Sequence, residues 1–287
     1  MSQANELPGN AAQIDYWNAA AGDTWARLQE LLDRQIAPLG QEAMFALAPR
    51  LGEHVIDVGC GCGATSADLA ARVGATGRVV GVDISKPMLC VARRRPLPPG
   101  IVRPEFREVD AQSGGLGVGI FDAAYSRFGV MFFSDPLAAF ANIRASLKQR
   151  GRLAFACWRA LAENDWMREP LEAASPWLPP LAPSDPTAPG PFAFADDGRL
   201  RTILSRAGFD SVSIDPFNTR IGAGDLEQAL KLALQVGPLG AAIREHPDLQ
   251  FKVTDAVREV LDRHSTAHGV LMPAAVWIVR AMSPRVV

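Results

Sequence analysis

A short β-branched run, Val55-Ile56-Asp57-Val58, stops abruptly in three alternating glycines, Gly59, Gly61 and Gly63. A helical pattern begins at once from Ala64. No other stretch limits the possible folds so strongly. A buried strand, a glycine turn and a helix together predict a βα unit. Its turn sets main-chain N–H groups and a positive helix end against a ligand's polar groups. Glycine suits the turn because a side chain would hold the ligand off the main chain.

The same grammar recurs downstream. Strands are expected at 54–58, 78–83, 104–109, 120–126 and 152–158, with helices at 64–73, after Ser85, and at 136–148. Pro87 and Pro136 sit in first helical turns, as helix starts favour. Strands alternating with helices predict an α/β, Rossmann-like doubly wound sheet. Before it, residues 1–12 read as a loose tail and Asp15 to Ile36 as helical, broken near Gly22-Asp23 with Asp23 as a cap. Gln41 to Leu47 reads as a separate helix. After Trp158 the chain becomes proline-rich, and 160–195 is expected to pack irregularly beside the site. A helix over 196–207, a strand over 211–217, helices across 224–264 and a strand over 274–282 complete the pattern. The expected division is an N-terminal helical cover, 1–50, and a core, 51–287, with cap insertions at about 160–195 and 222–270.

Composition excludes more than it selects. The 287 residues carry a net charge of −2, so nothing global draws the chain to nucleic acid. No apolar run reaches the roughly 18 residues of a membrane span, and Met1 to Asn10 lacks a signal-peptide pattern. The four cysteines, Cys60, Cys62, Cys90 and Cys157, offer neither a disulfide framework nor metal-ligand spacing. The expected setting is the reducing cytoplasm, and the expected state a monomer or homodimer without bound metal.

Chemistry concentrates at the strand ends. The first strand offers Asp57, the second Asp83, the third Asp110-Ala111-Gln112, the fourth Ser126-Arg127-Phe128 and the fifth Trp158. Carboxylates gathered at one rim repel one another unless a ligand donates to them. Asp83 follows Gly63 by 20 residues, the separation at which an acid meets a ribose diol. Gly59-x-Gly61-x-x-Ala64 also matches a dinucleotide fingerprint, so the turn alone leaves two cofactors open. A pyrophosphate would be poorly served by Asp57. The sulfonium and ammonium of S-adenosylmethionine would be well served.

Taken in order, these segments resemble class I S-adenosylmethionine-dependent methyltransferases. The motifs are Val-Ile-Asp57-Val-Gly59-Cys-Gly61-Cys-Gly63, Val-Val-Gly-Val-Asp83, Val-Asp110-Ala-Gln and Phe121-Asp-Ala-Ala-Tyr-Ser-Arg127-Phe. Leu147-Lys-Gln-Arg-Gly151 resembles the turn before strand five, with Arg150 in place of the usual proline. The subgroup resembled is that of small-molecule enzymes similar to quinone-biosynthesis methyltransferases. The resemblance implies seven strands, mostly parallel with an antiparallel last strand, and an α-helical cap. It implies cofactor contacts from Asp57, Gly59, Gly61, Asp83, Ile84, Met88, Asp110, Ala111, Gln112, Ser126 and Trp25. Tyr16, Trp17, Phe128, Phe132, Trp158 and Trp166 are expected to shape an apolar or aromatic acceptor pocket. Arg127 and His264 are the catalytic candidates, with a salt bridge to Asp57 or Asp135 as the alternative role for Arg127. The expected reaction is methyl transfer to a quinone, polyketide or other secondary metabolite. A nicotinamide oxidoreductase and a non-catalytic S-adenosylmethionine-binding protein remain alternatives. Asp57, Asp110 and the lack of a Tyr-x-x-x-Lys pair after strand four count against the oxidoreductase.

Overall fold

The computed structural model describes residues 10–180 and 185–285. Seven strands form one sheet: β1 (His54–Val58), β2 (Arg78–Asp83), β3 (Glu105–Glu108), β4 (Phe121–Arg127), β5 (Leu147–Trp158), β6 (Asp210–Ile221) and β7 (Met272–Met282). Their order is β3-β2-β1-β4-β5-β7-β6. The first five run parallel, and β7 is antiparallel to both neighbours. Residues 153–158 of β5 are all buried, which requires cover on both faces of the sheet.

Eleven α-helices supply that cover and the rim. Three precede the sheet: α1 (Ala11–Asn18), α2 (Ala20–Arg27) and α3 (Gln29–Leu47). Between strands come α4 (Ala64–Val73), α5 (Lys86–Arg94), α6 (Pro136–Ser146), α7 (Asp165–Ala174) and α8 (Asp197–Arg206). The last three are α9 (Leu226–Ala233), α10 (Gly237–Glu245) and α11 (Gln250–Asp262). The α3 stripe Ile36, Leu39, Ala43, Met44 and Leu47 recurs at helical spacing and is almost fully buried. At Gly40 that helix comes so close to β4 that a Cβ would lie 2.6 Å from Arg127 Cδ. The Tyr125 hydroxyl donates to the Gly40 carbonyl at 2.8 Å, fixing α3 on the sheet. A second apolar cluster, including Leu171, Leu230, Leu239, Val257 and Met272, joins α7, α9, α10 and α11 to the start of β7.

The N-terminal expectations need correction. The breaks fall at Ala19 and Leu28, and Asp23 lies inside α2 rather than capping a helix. Pro38 does not stop α3, which includes 41–47. The expected tail of residues 1–12 ends too late: Asn10 is buried and Ala11 and Ala12 open α1, while residues 1–9 lie outside the described residues. Part of 160–195 is the regular helix α7, not irregular chain, and residues 181–184 lie outside the described set.

Candidate active site

All parallel strands end on one rim, and the glycine turn lies at its centre. A recess opens there, lined from β1 to β4 by Gly59, Asp83, Ile84, Asp110, Ala111, Arg127 and Phe128. Met88 of α5, Phe132, Phe133 and the indoles of Trp17 and Trp25 complete most of its wall. A second recess shares Gly59, Met88, Trp25 and Arg127 with the first and runs under the turn past Gly61, Cys62, Asp33 and Gln29. Eleven sequence-predicted residues therefore meet at one place: Trp17, Trp25, Gly59, Asp83, Ile84, Met88, Asp110, Ala111, Arg127, Phe128 and Phe132. Gly61 lies in the adjoining recess.

The turn's own hydrogen bonds decide what it can hold. Gly59 and Cys60 donate their N–H groups to the Val82 carbonyl at 2.9 and 3.1 Å. Gly61 donates to Asp83 Oδ2 at 2.8 Å, and Gly63 donates to the Cys60 carbonyl at 2.9 Å. Four main-chain donors are thus engaged within the protein, contrary to the expectation that the turn offers them to a ligand. Gly59 is required by neighbouring backbone, since a Cβ there would lie 2.6 Å from Gly129 Cα; at Gly61 the backbone φ of +52° favours glycine, and the nearest atom to an added Cβ is the flexible end of Met88, at 2.7 Å.

Asp57 is fully buried and lines neither recess. Its Oδ2 accepts from the hydroxyls of Thr65 and Ser66 in the first turn of α4, at 2.7 and 2.6 Å. Its Oδ1 has no partner among the described residues. Burial pushes this carboxyl up to about 6, against the pull of the two hydroxyls and of Arg127. A buried negative charge behind the turn, at the start of a helix, repels a phosphate and favours a cation.

Asp83 accepts from the N–H groups of Gly61 and Ser85, both at 2.8 Å, and faces the first recess. Burial raises its pKa against the backbone donors that lower it. Asp110 Oδ1 accepts from Gln112 N at 2.9 Å and from Asn10 Nδ2 at 3.2 Å. Helix α1 is latched over this corner. The Ser85 hydroxyl donates to the Trp17 carbonyl at 2.8 Å, and Asn18 Nδ2 donates to the Ile84 carbonyl at 2.8 Å. Trp17 meets Phe132 and Trp25 edge-on, at 5.0 and 5.8 Å between ring centres.

Arg127 pairs with Asp33 of α3 at 2.7 Å, not with Asp57 or Asp135. Asp33 is shared with Arg95 at 2.6 Å, so one carboxylate serves two guanidinium groups. Phe128 holds a left-handed φ of +66°, a costly conformation for a bulky residue. Its ring stacks on Trp158 at 4.2 Å with 6° between planes.

Several expected residues fall elsewhere. His264 lines neither recess; its Nε2 lies 2.8 Å from Glu169 Oε2 in the cap. Tyr16 is 44% exposed, and its hydroxyl accepts from Arg244 at 3.2 Å. Gln112 bonds Ser134 and Asp135, not the recess. Ser126 is fully buried, with its hydroxyl unpaired among the described residues. Trp158 lies one ring behind the wall, and Trp166 one ring further, 5.1 Å from Trp158. Asn10, Asp33 and Gly129 were missed: their partners lie far along the chain, and local pattern carries no sign of them.

S-adenosylmethionine fits this donor set. Its ribose hydroxyls suit the acceptors of Asp83, its adenine suits Ile84, Met88 and Asp110, and its positive charge suits the buried Asp57. A pyrophosphate fits poorly, because four of the turn's N–H donors are engaged and the charge behind them has the wrong sign. The carboxyl shift predicts a pH effect. Because its folded value lies above the ordinary one, the contribution of Asp57 to stability is complete below about pH 4. It is lost as pH rises through about 6, by on the order of 2 kcal/mol. Asp57→Asn should therefore gain on the native protein in thermal melts between about pH 4.5 and about pH 7.5. A pH-independent difference would rule the shift out.

Residues 55–151 match a family model described as a methyltransferase domain. The O-methyltransferase cnsE of Penicillium expansum is 30% identical over 221 residues, covering 75% of this chain and 71% of cnsE. The ubiquinone/menaquinone biosynthesis C-methyltransferase UbiE of Paraburkholderia phymatum is 30% identical over 57% of this chain and 70% of UbiE. The aklanonic acid methyltransferase DauC of Streptomyces sp. (strain C5) is 33% identical over 118 residues, 41% of this chain. That match spans about half of DauC, 54%. In fold, the chain is similar to phosphoethanolamine N-methyltransferase 2 of Haemonchus contortus, solved with S-adenosyl-L-methionine. The TM-score is 0.58 at 15% identity, over 94% of this chain and 60% of that one. The chain belongs to the class I S-adenosylmethionine-dependent methyltransferase family.

Proposed function

We propose that this protein transfers a methyl group from S-adenosylmethionine to an acidic oxygen of an apolar, aromatic small molecule. The observation that carries this reading is the makeup of the first recess. Its described wall is mostly apolar and aromatic, and its ionisable side chains are Asp83, Asp110 and Arg127. It contains no histidine, cysteine or lysine among them. Burial holds the adjoining Cys62 thiol up to about 12, which keeps it protonated and unreactive. An acceptor here therefore has to bring its own acidity, as a phenol, an enol or a carboxylic acid does. Arg127 favours the ionised form of such a group. The named activities of cnsE and DauC support the same reading, on polyketide-like or other secondary metabolites.

The cofactor, when bound, supplies a methyl carbon already activated by its sulfonium. The chain supplies placement. Asp83 and Asp110 orient the nucleoside, and Asp57 favours the cationic form from behind the turn. Trp17, Trp25, Phe128 and Phe132 exclude water and hold an aromatic ring. Placement of this kind accounts for large rate factors without acid–base help. Of the described residues, 10–50 act as the cover, and those within 160–195 and 222–270 as the cap, on the core that begins at 51. The chain works as a monomer or homodimer without nucleic acid, in the cytoplasm, where the free cysteines stay reduced.

The test is transfer of labelled methyl from S-adenosylmethionine to a panel of hydroxyaromatic and carboxylic metabolites. Labelled ethers or esters, lost in Arg127→Gln without loss of cofactor binding, are the expected result. Label appearing only on amines would refute the proposed acceptor class. Binding of the cofactor with no transfer to any extract would favour a non-catalytic role.

A further inference from the structure

Helix α1 starts at a side chain that forgoes the bond its position offers. Asn10 is the N-cap of α1, where an asparagine commonly accepts from a main-chain N–H of the first turn. Its side chain makes no such bond. It reaches 100 residues along the chain instead, and its Nδ2 donates to Asp110 Oδ1 at 3.2 Å. Its own Oδ1 accepts from Ser134 N at 3.4 Å. Asn10 is 6% exposed, and it lines the first recess together with Asp110. One buried amide thus ties the cover to the loops that follow β3 and β4.

The remaining bonds of Asp110 show what the amide does there. Asp110 Oδ1 also accepts from Gln112 N at 2.9 Å, and Oδ2 accepts from the Ser113 hydroxyl at 3.1 Å. Each carboxylate oxygen takes about two donors. With Asn10 in place Oδ1 is filled, and among the described residues Oδ2 keeps one acceptor position. We propose that Asn10 is a positioning residue for recognition of the adenine base: it occupies Asp110 Oδ1 and reserves Oδ2 for the 6-amino group. The proposal rests on the assignment of Asp110 to the adenine. A 6-amino group donates to the reserved position, whereas a 6-carbonyl would set lone pair against lone pair. Without the Asn10 donor, Oδ1 regains an open position. The carboxylate can then turn or take up water, and the distinction between amino and carbonyl weakens. Base selectivity is in this way set partly by the cover, not by the strand ends alone.

The test is calorimetry of the full chain with S-adenosylhomocysteine and with S-inosylhomocysteine, in which a carbonyl replaces the 6-amino group. We expect the native protein to prefer the adenosyl compound at least roughly tenfold. Asn10→Ala should cut that preference at least roughly threefold. Asn10→Asp should lose more adenosyl affinity than Asn10→Ala, because it sets a second carboxylate against Asp110. Aspartate keeps the size of asparagine and its preference for helix starts, so this variant does not weaken α1. A preference that keeps its native value in both variants overturns the proposal, even if both ligands bind more weakly, since a merely structural role would affect them alike. Asp110→Ala separates the two possible failures. If it abolishes the preference while the Asn10 variants keep it, the role of Asn10 fails and that of Asp110 stands. If Asp110→Ala keeps the preference, or the native protein shows none, both fail.

Discussion

Asp83→Ala is expected to weaken S-adenosylmethionine binding roughly thirtyfold, about 2 kcal/mol, as measured by titration calorimetry. The carboxylate does two things at once. It accepts from the Gly61 and Ser85 main chain, so it holds the glycine turn to the loop after β2. It also keeps acceptor capacity facing the first recess, where a ribose diol would donate. Alanine removes both, whereas Asp83→Asn retains one oxygen and should fall between. Thermal melting separates the roles. If the loss of affinity merely follows a loss of fold, the melting temperature falls in proportion. Unchanged affinity in Asp83→Ala would eliminate the ribose role.

Gly59→Ala is expected to destabilise the fold by on the order of 3 kcal/mol, lowering the melting temperature by roughly 5–10 °C. Two effects add. Gly59 has φ of +67°, which costs an alanine about 1–2 kcal/mol. Its Cβ would also press on Gly129 Cα at 2.6 Å, and backbone cannot rotate away as a side chain can. The reciprocal change, Gly129→Ala, would place a Cβ 2.7 Å from Gly59 Cα. Because either substitution opens the same contact, the double variant should lose less than the sum of the singles. Gly100→Ala is the control. Its φ is +84°, but nothing lies within 4 Å of the added carbon, so only the backbone term applies. Equal losses at Gly59 and Gly100 would show that the loop contact carries no weight.

The central βα units were legible because their information is local. A β-branched run, glycines at alternate positions and a helical stripe all fall within a dozen residues, and Asp83 and Asp110 follow from strand ends. The helix α3 was less legible. Its residues read as two segments, one ending at Ile36 and one beginning at Gln41, yet the buried stripe on both sides of Pro38 holds them in one helix. The ion pair of Arg127 was invisible for a different reason: Asp33 lies 94 residues away, and many carboxylates could have served. Aromatic content overcounted the acceptor pocket. Trp158 and Trp166 are as apolar as Trp17, and only packing decides which ring faces a cavity and which lies behind another. His264 was selected by residue type, but its Glu169 partner 95 residues away sets it in the cap. The glycine turn was identified correctly and interpreted incompletely. Its donors serve Val82, Asp83 and its own chain, and this turns an ambiguous fingerprint into a choice between cofactors.

That choice is the central claim, and calorimetry of the full chain with S-adenosylmethionine and with NADH tests it most directly. The account predicts S-adenosylmethionine binding with a Kd of about 100 μM or tighter, and NADH at least roughly 100-fold weaker. Tight binding of NADH with none of S-adenosylmethionine would contradict it.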